Sequence, residues 1–355
     1  MRTDGRKKVK GKIIQLPEGS VTVLKESEPM MVMVKQSQLV ERMDPEFWEP
    51  CFLIAEGRLC KFGSRRLKEL IAPENLIASD HVRNRLGERI GSPPECDVEY
   101  YTVGPLMRTG YDLTELQYCN RIAYERLKST SVREGDILIA DSGVAGIGRL
   151  CFVSFKPSTL SCTGHLFVLH PEGIDGRFLT VFLHSKYGQS QIHRRKHGVA
   201  SPYIKSEDLL EILVPVVGPD VQSRISQEHK WVEAMHHNAI EAKSKGNYDD
   251  AEYYFQTAEG MLEALIAQVE WLIEGERKTI TPLIPNRAPE SLQDAFVEQY
   301  RCIGERWSEL ERQQESRILA ILTNRYTEIA DAIRRLLEQV EEVMAGKRKN
   351  VDPVL

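Results

Sequence analysis

The chain has 355 residues, 41% hydrophobic and 28% charged, with a formal net charge of −5 at pH 7. That length suits about two domains, the composition is that of an ordinary globular protein, and no apolar run approaches the roughly 20 residues that cross a bilayer. The mild acidity excludes a general polyanion binder, while seven scattered cysteines, none in a C-x-x-C pair, exclude a zinc ribbon and suit reduced thiols in a cytoplasm.

Residues 1–40 form a basic N-terminal extension. Over residues 2–12, Arg2, Arg6, Lys7, Lys8, Lys10 and Lys12 face a single acid, Asp4, and no apolar core or cleavage site marks a secretory signal. Within it SVTVLKESEPMMVMVK (20–35) predicts a hairpin, two short strands around a turn. Residues 41–218 are mixed. The strand-like runs VEYYTV, DILIA, LCFVSF, GHLFVLH and LEILVPV alternate with turns, and the clearest helix is RFLTVFLHSKYGQSQIHRR (177–195). Its basic residues collect at the C-terminal end, where they suit the helix dipole.

Pro215 and Gly218-Pro219 punctuate a boundary. Residues 219–279 are then a long helical spacer: Val221, Ile225, Trp231 and Met235 begin one stretch, Gly246-Asn247 interrupts it, and a second covers 249–278. The segment 242–266 resembles one unit of a tetratricopeptide repeat, but a solenoid needs about three units, so a helical hairpin is the simpler reading. A proline-rich break (280–290), a third long helix (291–345) and a tail (346–355) complete the chain. The fold class expected is α+β: a β-rich mixed domain followed by long antiparallel helices.

The stretch GDILIADSGVAGIGRL (135–150) asks for chemistry. It lacks the Lys-Ser/Thr of a phosphate-binding P-loop, the spacing of a dinucleotide fingerprint and the frame of a nucleophile elbow. What remains is a strand–turn–strand whose glycines either shape a turn or admit the backbone of a ligand. Ser92-Pro93-Pro94-Glu95 has an acid where an amino-methylating enzyme places an aromatic. Asp220, Glu228 and Lys230 superficially match a nuclease pattern, but all fall near a helix start, where Asp220 reads as a cap. His165 reads as a hydrogen-bonded structural residue. No metal, no cofactor and no catalysis are expected. The basic stretch QIHRRKHGVASPYIK (191–205) is either a solvated helix end or a local nucleic-acid footprint.

Taken in order, several blocks of 41–230 resemble the target recognition domain of type I restriction-modification specificity subunits. They are ERMDPEFWEP (41–50), KFGSRRLKELI (61–71), VEYYTVGPLMRTGYDL (98–113), VREGDILIADSGVAGIGRLCFV (132–153), LSCTGHLFVLHPEG (160–173), the 178–216 segment with its GQ helix, and PDVQSRISQEH (219–229). The resemblance covers about half the chain and lies in the ordered series rather than in any one motif. Two departures are Ser201-Pro202-Tyr203, where the family has an Ile/Phe-Pro-His/Asn-like stretch, and Val217-Gly218, where it has a Pro-rich end.

The resemblance implies a β-rich core whose loops reach double-stranded DNA and a following helix that acts as a spacer. It implies recognition without bond breaking. Carried to this chain, Arg194, Arg195, Lys196 and Lys205 would contact phosphates. Arg108, Tyr111, Asp112, Ser201 and Tyr203 would reach base edges, and Ser142 and Arg149 on the glycine-rich turn complete the implied set. The family's subunits carry two such domains, whereas this chain shows one. It therefore resembles a half-length specificity subunit whose partners would be an adenine methyltransferase subunit, a restriction or translocase subunit, and a second copy through the C-terminal helices. A different class stays open: a helical protein–protein adaptor of a defence complex whose α/β domain does not read DNA.

Overall fold

The N-terminal strands β1 (Lys12–Leu16), β2 (Gly19–Lys25) and β3 (Met31–Met33) form an antiparallel sheet, one strand more than the expected hairpin. Ile14, Leu16, Val21 and Val23 bury one face against Trp48 and Leu53. In this computed structural model the described residues are 11–283, except 27–30, 40–43, 84–86 and 199–200. The expected helix 291–345, the tail, most of the proline-rich break and the basic residues before Gly11 lie outside them. The described residues belong to one compact unit, Met1–Leu283.

Helix α1 (Pro50–Phe62) starts on a proline, which has no amide hydrogen to leave unpaired, and stops at Gly63 with φ +102°. It buries Leu53, Glu56 and Leu59 on one face. After β4 (Ser64–Arg66) and β5 (Leu76–Ala78) come β6 (Ile90–Gly91), β7 (Val98–Tyr101), β8 (Leu106–Met107), β9 (Gly110–Tyr111) and β10 (Gln117–Cys119). Asn120 caps α2 (Arg121–Leu127) by accepting from the Ala123 N–H. Strands β11 (Ile137–Ala140), β12 (Leu150–Phe152), β13 (Ser161–Thr163) and β14 (Leu166–Leu169) follow.

Two four-stranded sheets result, ordered β13-β7-β10-β6 and β12-β11-β14-β5. The second is antiparallel throughout, with Ile139 opposite both Leu150 and Phe167. Every residue of β11 and β14 is buried, so these strands read as continuous apolar runs rather than alternating ones. Tyr101, Leu106, Tyr111, Leu138, Ala140, Cys151, Leu166 and Val168 pack there as one core.

The helix expected over 177–195 is two helices. Helix α3 (Gly176–His184) is capped by Asp175, and α4 (Lys186–Arg194) is capped by Ser185, whose hydroxyl accepts from the Gly188 N–H. Gly188 is required at this bend, because a Cβ there would stand 2.5 Å from the Leu183 Cα and the Phe182 carbonyl oxygen. A short α5 (Ser206–Leu210) leads to β15 (Leu213–Pro215), which pairs with β4.

Helices α6 (Pro219–Ser244) and α7 (Tyr248–Glu274) form the expected helical hairpin. Gly246, at φ +76°, makes the turn, Asn247 caps α7, and Gly275 in the left-handed region ends it. Both helices pack on α3, which is where their apolar stripes go. None of the described helices is long and apolar enough to cross a membrane.

Candidate nucleic-acid interface

The glycine-rich turn between β11 and β12 is tight. The N–H groups of Gly146 and Ile147 both donate to the Gly143 carbonyl, at 3.1 and 3.0 Å, and Ile147 is buried beneath. Gly143 and Gly148 have φ of +95° and +84°, and a Cβ on Gly146 would stand 2.3 Å from the Ser142 carbonyl oxygen. The three glycines thus shape the turn itself. Its tip is apolar and open to solvent, with Val144 80% exposed.

Segments far apart in sequence meet at the base of this turn. The Asp141 N–H donates to the His165 carbonyl (3.2 Å), and the Asp141 carbonyl accepts from the Ile204 N–H (2.9 Å). Ser142 bridges Tyr203, the Gly143 N–H donates to the Pro202 carbonyl (2.9 Å), and the Ser142 hydroxyl donates to Asp141 Oδ1 (2.5 Å). From behind, Gln189 of the GQ helix donates to the Gly148 and Leu183 carbonyls, at 2.9 Å each. Two ring pairs flank Asp141 and Ser142. His81 stacks on His165 with centroids 5.1 Å apart and planes 6° apart, and His197 stacks on Tyr203 at 5.4 Å and 24°. Each histidine sits beside a carboxylate: His81 Nδ1 is 3.0 Å from Asp80, His165 Nδ1 is 3.8 Å from Asp141, and His197 Nε2 is 2.7 Å from Asp208.

Of the residues expected to bind DNA, Ser142, Ser201, Tyr203 and Lys205 belong to this surface, and the last three are exposed. Arg149 stands at the foot of the turn, where its guanidinium donates to the carbonyls of Gly104 (3.2 Å) and Leu106 and so ties two loops together. Lys196 lies 3.1 Å from Glu46.

Arg194 and Arg195 are elsewhere, and the expectation of phosphate contacts is corrected for both. Arg194 has no exposed side-chain surface. It pairs with Glu56 of α1 and with Glu18 (2.9 Å), donates to the Phe47 carbonyl (3.0 Å) and lies 3.9 Å over the Phe47 ring. Arg195 pairs with the other oxygen of Glu56. The reason is Glu56 itself: a fully buried carboxylate is tolerable only when neutralised and hydrogen-bonded, and the last turn of α4 supplies both cations.

Tyr111 and Asp112 are likewise interior. The Tyr111 hydroxyl accepts from the Thr102 N–H (2.9 Å), and burial pushes its pKa up to about 12. Asp112 is held by Lys243 of α6 at 2.5 Å. Arg108 reaches across to Glu259 (3.3 Å) and Glu263 of α7. These three residues fasten the sheet to the helical hairpin and do not belong to the exposed face. The same seam holds His236, whose ring contacts the Thr109 hydroxyl (3.0 Å) and the Tyr111 carbonyl (3.1 Å) and whose pKa burial lowers to about 4. The suspected nuclease residues Asp220, Glu228 and Lys230 all lie on α6, where Glu228 is occupied by the Leu283 N–H (2.7 Å) and Arg224 (3.2 Å). Among the described residues no group of three or more His, Cys, Asp or Glu is arranged to hold a metal ion.

Sequence reasoning missed His81, His165 and Asp208. His165 was expected to be a structural, hydrogen-bonded residue. Instead it is exposed and is the one described non-glycine residue with positive φ, +59°. Its neighbour Gly164 offered no local cue, because the stack with His81 joins residues 84 positions apart.

No protein-family model matches the chain, and no curated protein sequence matches it. A solved structure concerned with the complex assembly and conformational transition of the type I R-M system is similar to it, with a TM-score of 0.35 and 16% sequence identity over 64% of this chain. The matched part spans about half, 55%, of that other chain.

Proposed function

We propose that this chain is a non-catalytic subunit that recognises a sequence in double-stranded DNA and directs an adenine methyltransferase, or a restriction complex built around one, to that site. The observation that carries this reading is the convergence of the resembling blocks. The GDIL…G-x-x-G strand pair, the GQ helix and the S-P-Y-I segment are up to about 70 residues apart in sequence, yet Gln189 bonds to Gly148 and Tyr203 bridges Ser142. Their junction presents Ser142, Val144, Ser201, Tyr203 and Lys205 together. That set has the chemistry of direct readout: hydroxyls and rings for base edges, an apolar tip for a thymine methyl, and a lysine for phosphate. Helices α6 and α7, rigidly fixed to the sheet by Arg108, His236 and Lys243, are the spacer on which a methyltransferase subunit or a second copy would dock.

A second reading, a protein adaptor that does not read DNA, is favoured by one observation. Burial of Arg194 and Arg195 removes the two strongest cations of the basic stretch from the surface. Selection from a random duplex library, with and without the genomically neighbouring methyltransferase, separates the two readings. DNA recognition predicts enrichment of a short motif, and dimerisation predicts two copies at fixed spacing. Weak salt-sensitive binding without enrichment in either condition would reject recognition and leave the adaptor.

A further inference from the structure

We propose that the stacked imidazoles of His81 and His165 are specificity-determining residues, reading base edges of the target duplex beside Ser142. This inference rests on the DNA-recognition reading and names residues that neither composition nor the resemblance singles out.

The backbone is the first argument. His165 adopts φ +59°, a region where a side chain clashes with its own backbone and where glycine is the unstrained choice. A residue persists there when its side chain is needed and the surroundings fix it. Here the surroundings do fix it, since its carbonyl accepts from Asp141 and Leu166 begins β14 directly after it. Packing does not account for the side chain, because 53% of its surface remains exposed.

The rings are the second argument. Two imidazoles stacked 5.1 Å apart and nearly parallel form one flat platform rather than two independent rotors. Both carboxylate contacts are made at Nδ1, from Asp80 to His81 and from Asp141 to His165. Neither Nε2 makes a hydrogen bond among the described residues. The His165 contact, at 3.8 Å, is too long for a hydrogen bond, so neither ring has its tautomer fixed and each Nε2 is open as a donor or an acceptor. As an acceptor that atom suits the N6 amine of adenine or the N4 amine of cytosine, and as a donor it suits the N7 of guanine, all groups exposed in the major groove. Asp80 is in turn occupied by Arg83 and by Arg126 (2.9 Å), and Arg126 also holds Glu88 (2.6 Å), so the carboxylate behind His81 is anchored.

The third argument is position. Asp141 bonds through its N–H to the His165 segment and through its carbonyl to the Tyr203 segment. The imidazole platform therefore shares its support with the turn and the Tyr203 ring, and all three address one ligand.

The test is the duplex selection performed on the full chain with its methyltransferase, for the wild type and for His165→Asn, His165→Gly and His81→Ala. Asparagine and glycine both tolerate the left-handed backbone, so each removes the ring without imposing strain, and an unfolding midpoint no lower than that of the wild type certifies the fold. The expected result is a loss of about tenfold or more in affinity for the wild-type motif, with relaxed preference at one or two base positions. Binding to unrelated duplex and its salt slope should not change. An unchanged motif and affinity would overturn the inference, as would equal weakening on all sequences, which marks a phosphate contact. If the wild type itself enriches no motif, the DNA reading fails and this inference with it. If wild type and variants enrich the same motif, only the inference fails.

Discussion

Two regions of this molecule carry clustered polar side chains, and they do opposite things. The end of α4 runs into three consecutive cations, Arg194, Arg195 and Lys196, yet Arg194 and Arg195 are turned inward onto Glu56. The face around Asp141 contains few charges in sequence, yet it gathers His81, His165, His197, Ser142 and Tyr203 from four separate segments at the surface. The first region uses charge to neutralise a buried carboxylate and to join α1, α4 and the N-terminal sheet. The second keeps polar atoms open. A run of like charge in a sequence thus reports neither exposure nor partner until the opposite charge that faces it is known.

The sharpest way to break this contrast is Arg194→Ala. It takes from Glu56 one of its two cations, in a site with no exposed surface, while Arg195 still pairs with the other oxygen, so the cost should fall below the roughly 3–5 kcal/mol of a fully stranded buried charge. Urea denaturation should show that loss, and the salt dependence of DNA binding by the remaining folded protein should be unchanged. A stable variant with a shallower salt slope would return Arg194 to the DNA surface.

The seam between the sheet and α6 offers a pH test of similar logic. Burial lowers His236 to about 4 and His184 to about 3, the latter with help from Arg108 and His229. An unfolded histidine takes its proton near pH 6.5. Between about pH 6.5 and 4 the unfolded chain therefore binds more protons than the folded one, and stability falls as the pH falls. For His236 alone the loss by pH 4 is on the order of 3 kcal/mol. Unfolding midpoints at pH 7, 5 and 4 should fall in that order, and His236→Gln should flatten the fall. An identical pH profile in the variant would show that this seam does not govern the acid response.

The smallest effect is expected on the exposed face. Lys205→Ala removes a solvated lysine, so stability should stay within about 0.5 kcal/mol of wild type. If Lys205 contacts a phosphate, the log–log salt slope of DNA binding drops by about 0.9. Fluorescence anisotropy over a salt series reads this directly, and an unchanged slope would remove Lys205 from the interface.

Much of the local structure was legible because it follows from short-range rules. The apolar runs around β7, β11, β12 and β14, the Gly246-Asn247 turn and the long α6–α7 hairpin each announce themselves within a few residues. The break at Ser185 did not, because the apolar spacing of 177–195 runs across it and only the contact of Gly188 with the preceding turn demands it. The candidate site was half legible. Ser142, Tyr203 and Lys205 followed from the resemblance, whereas His165 looked like a strand residue because nothing in GHLFVLH signals a left-handed backbone.

The sequence by itself determined the α+β character, the tight glycine turn after β11 and the paired helices, since periodicity, capping residues and glycine conformational freedom act over a few positions. Only the tertiary structure decided that Glu56 would claim Arg194 and Arg195, that Arg108 and Asp112 would bind α6 and α7, and that His81 would stack on His165. Those outcomes depend on which side chains meet across long stretches of chain, and burial of a charge is set by its partner rather than by its neighbours in sequence.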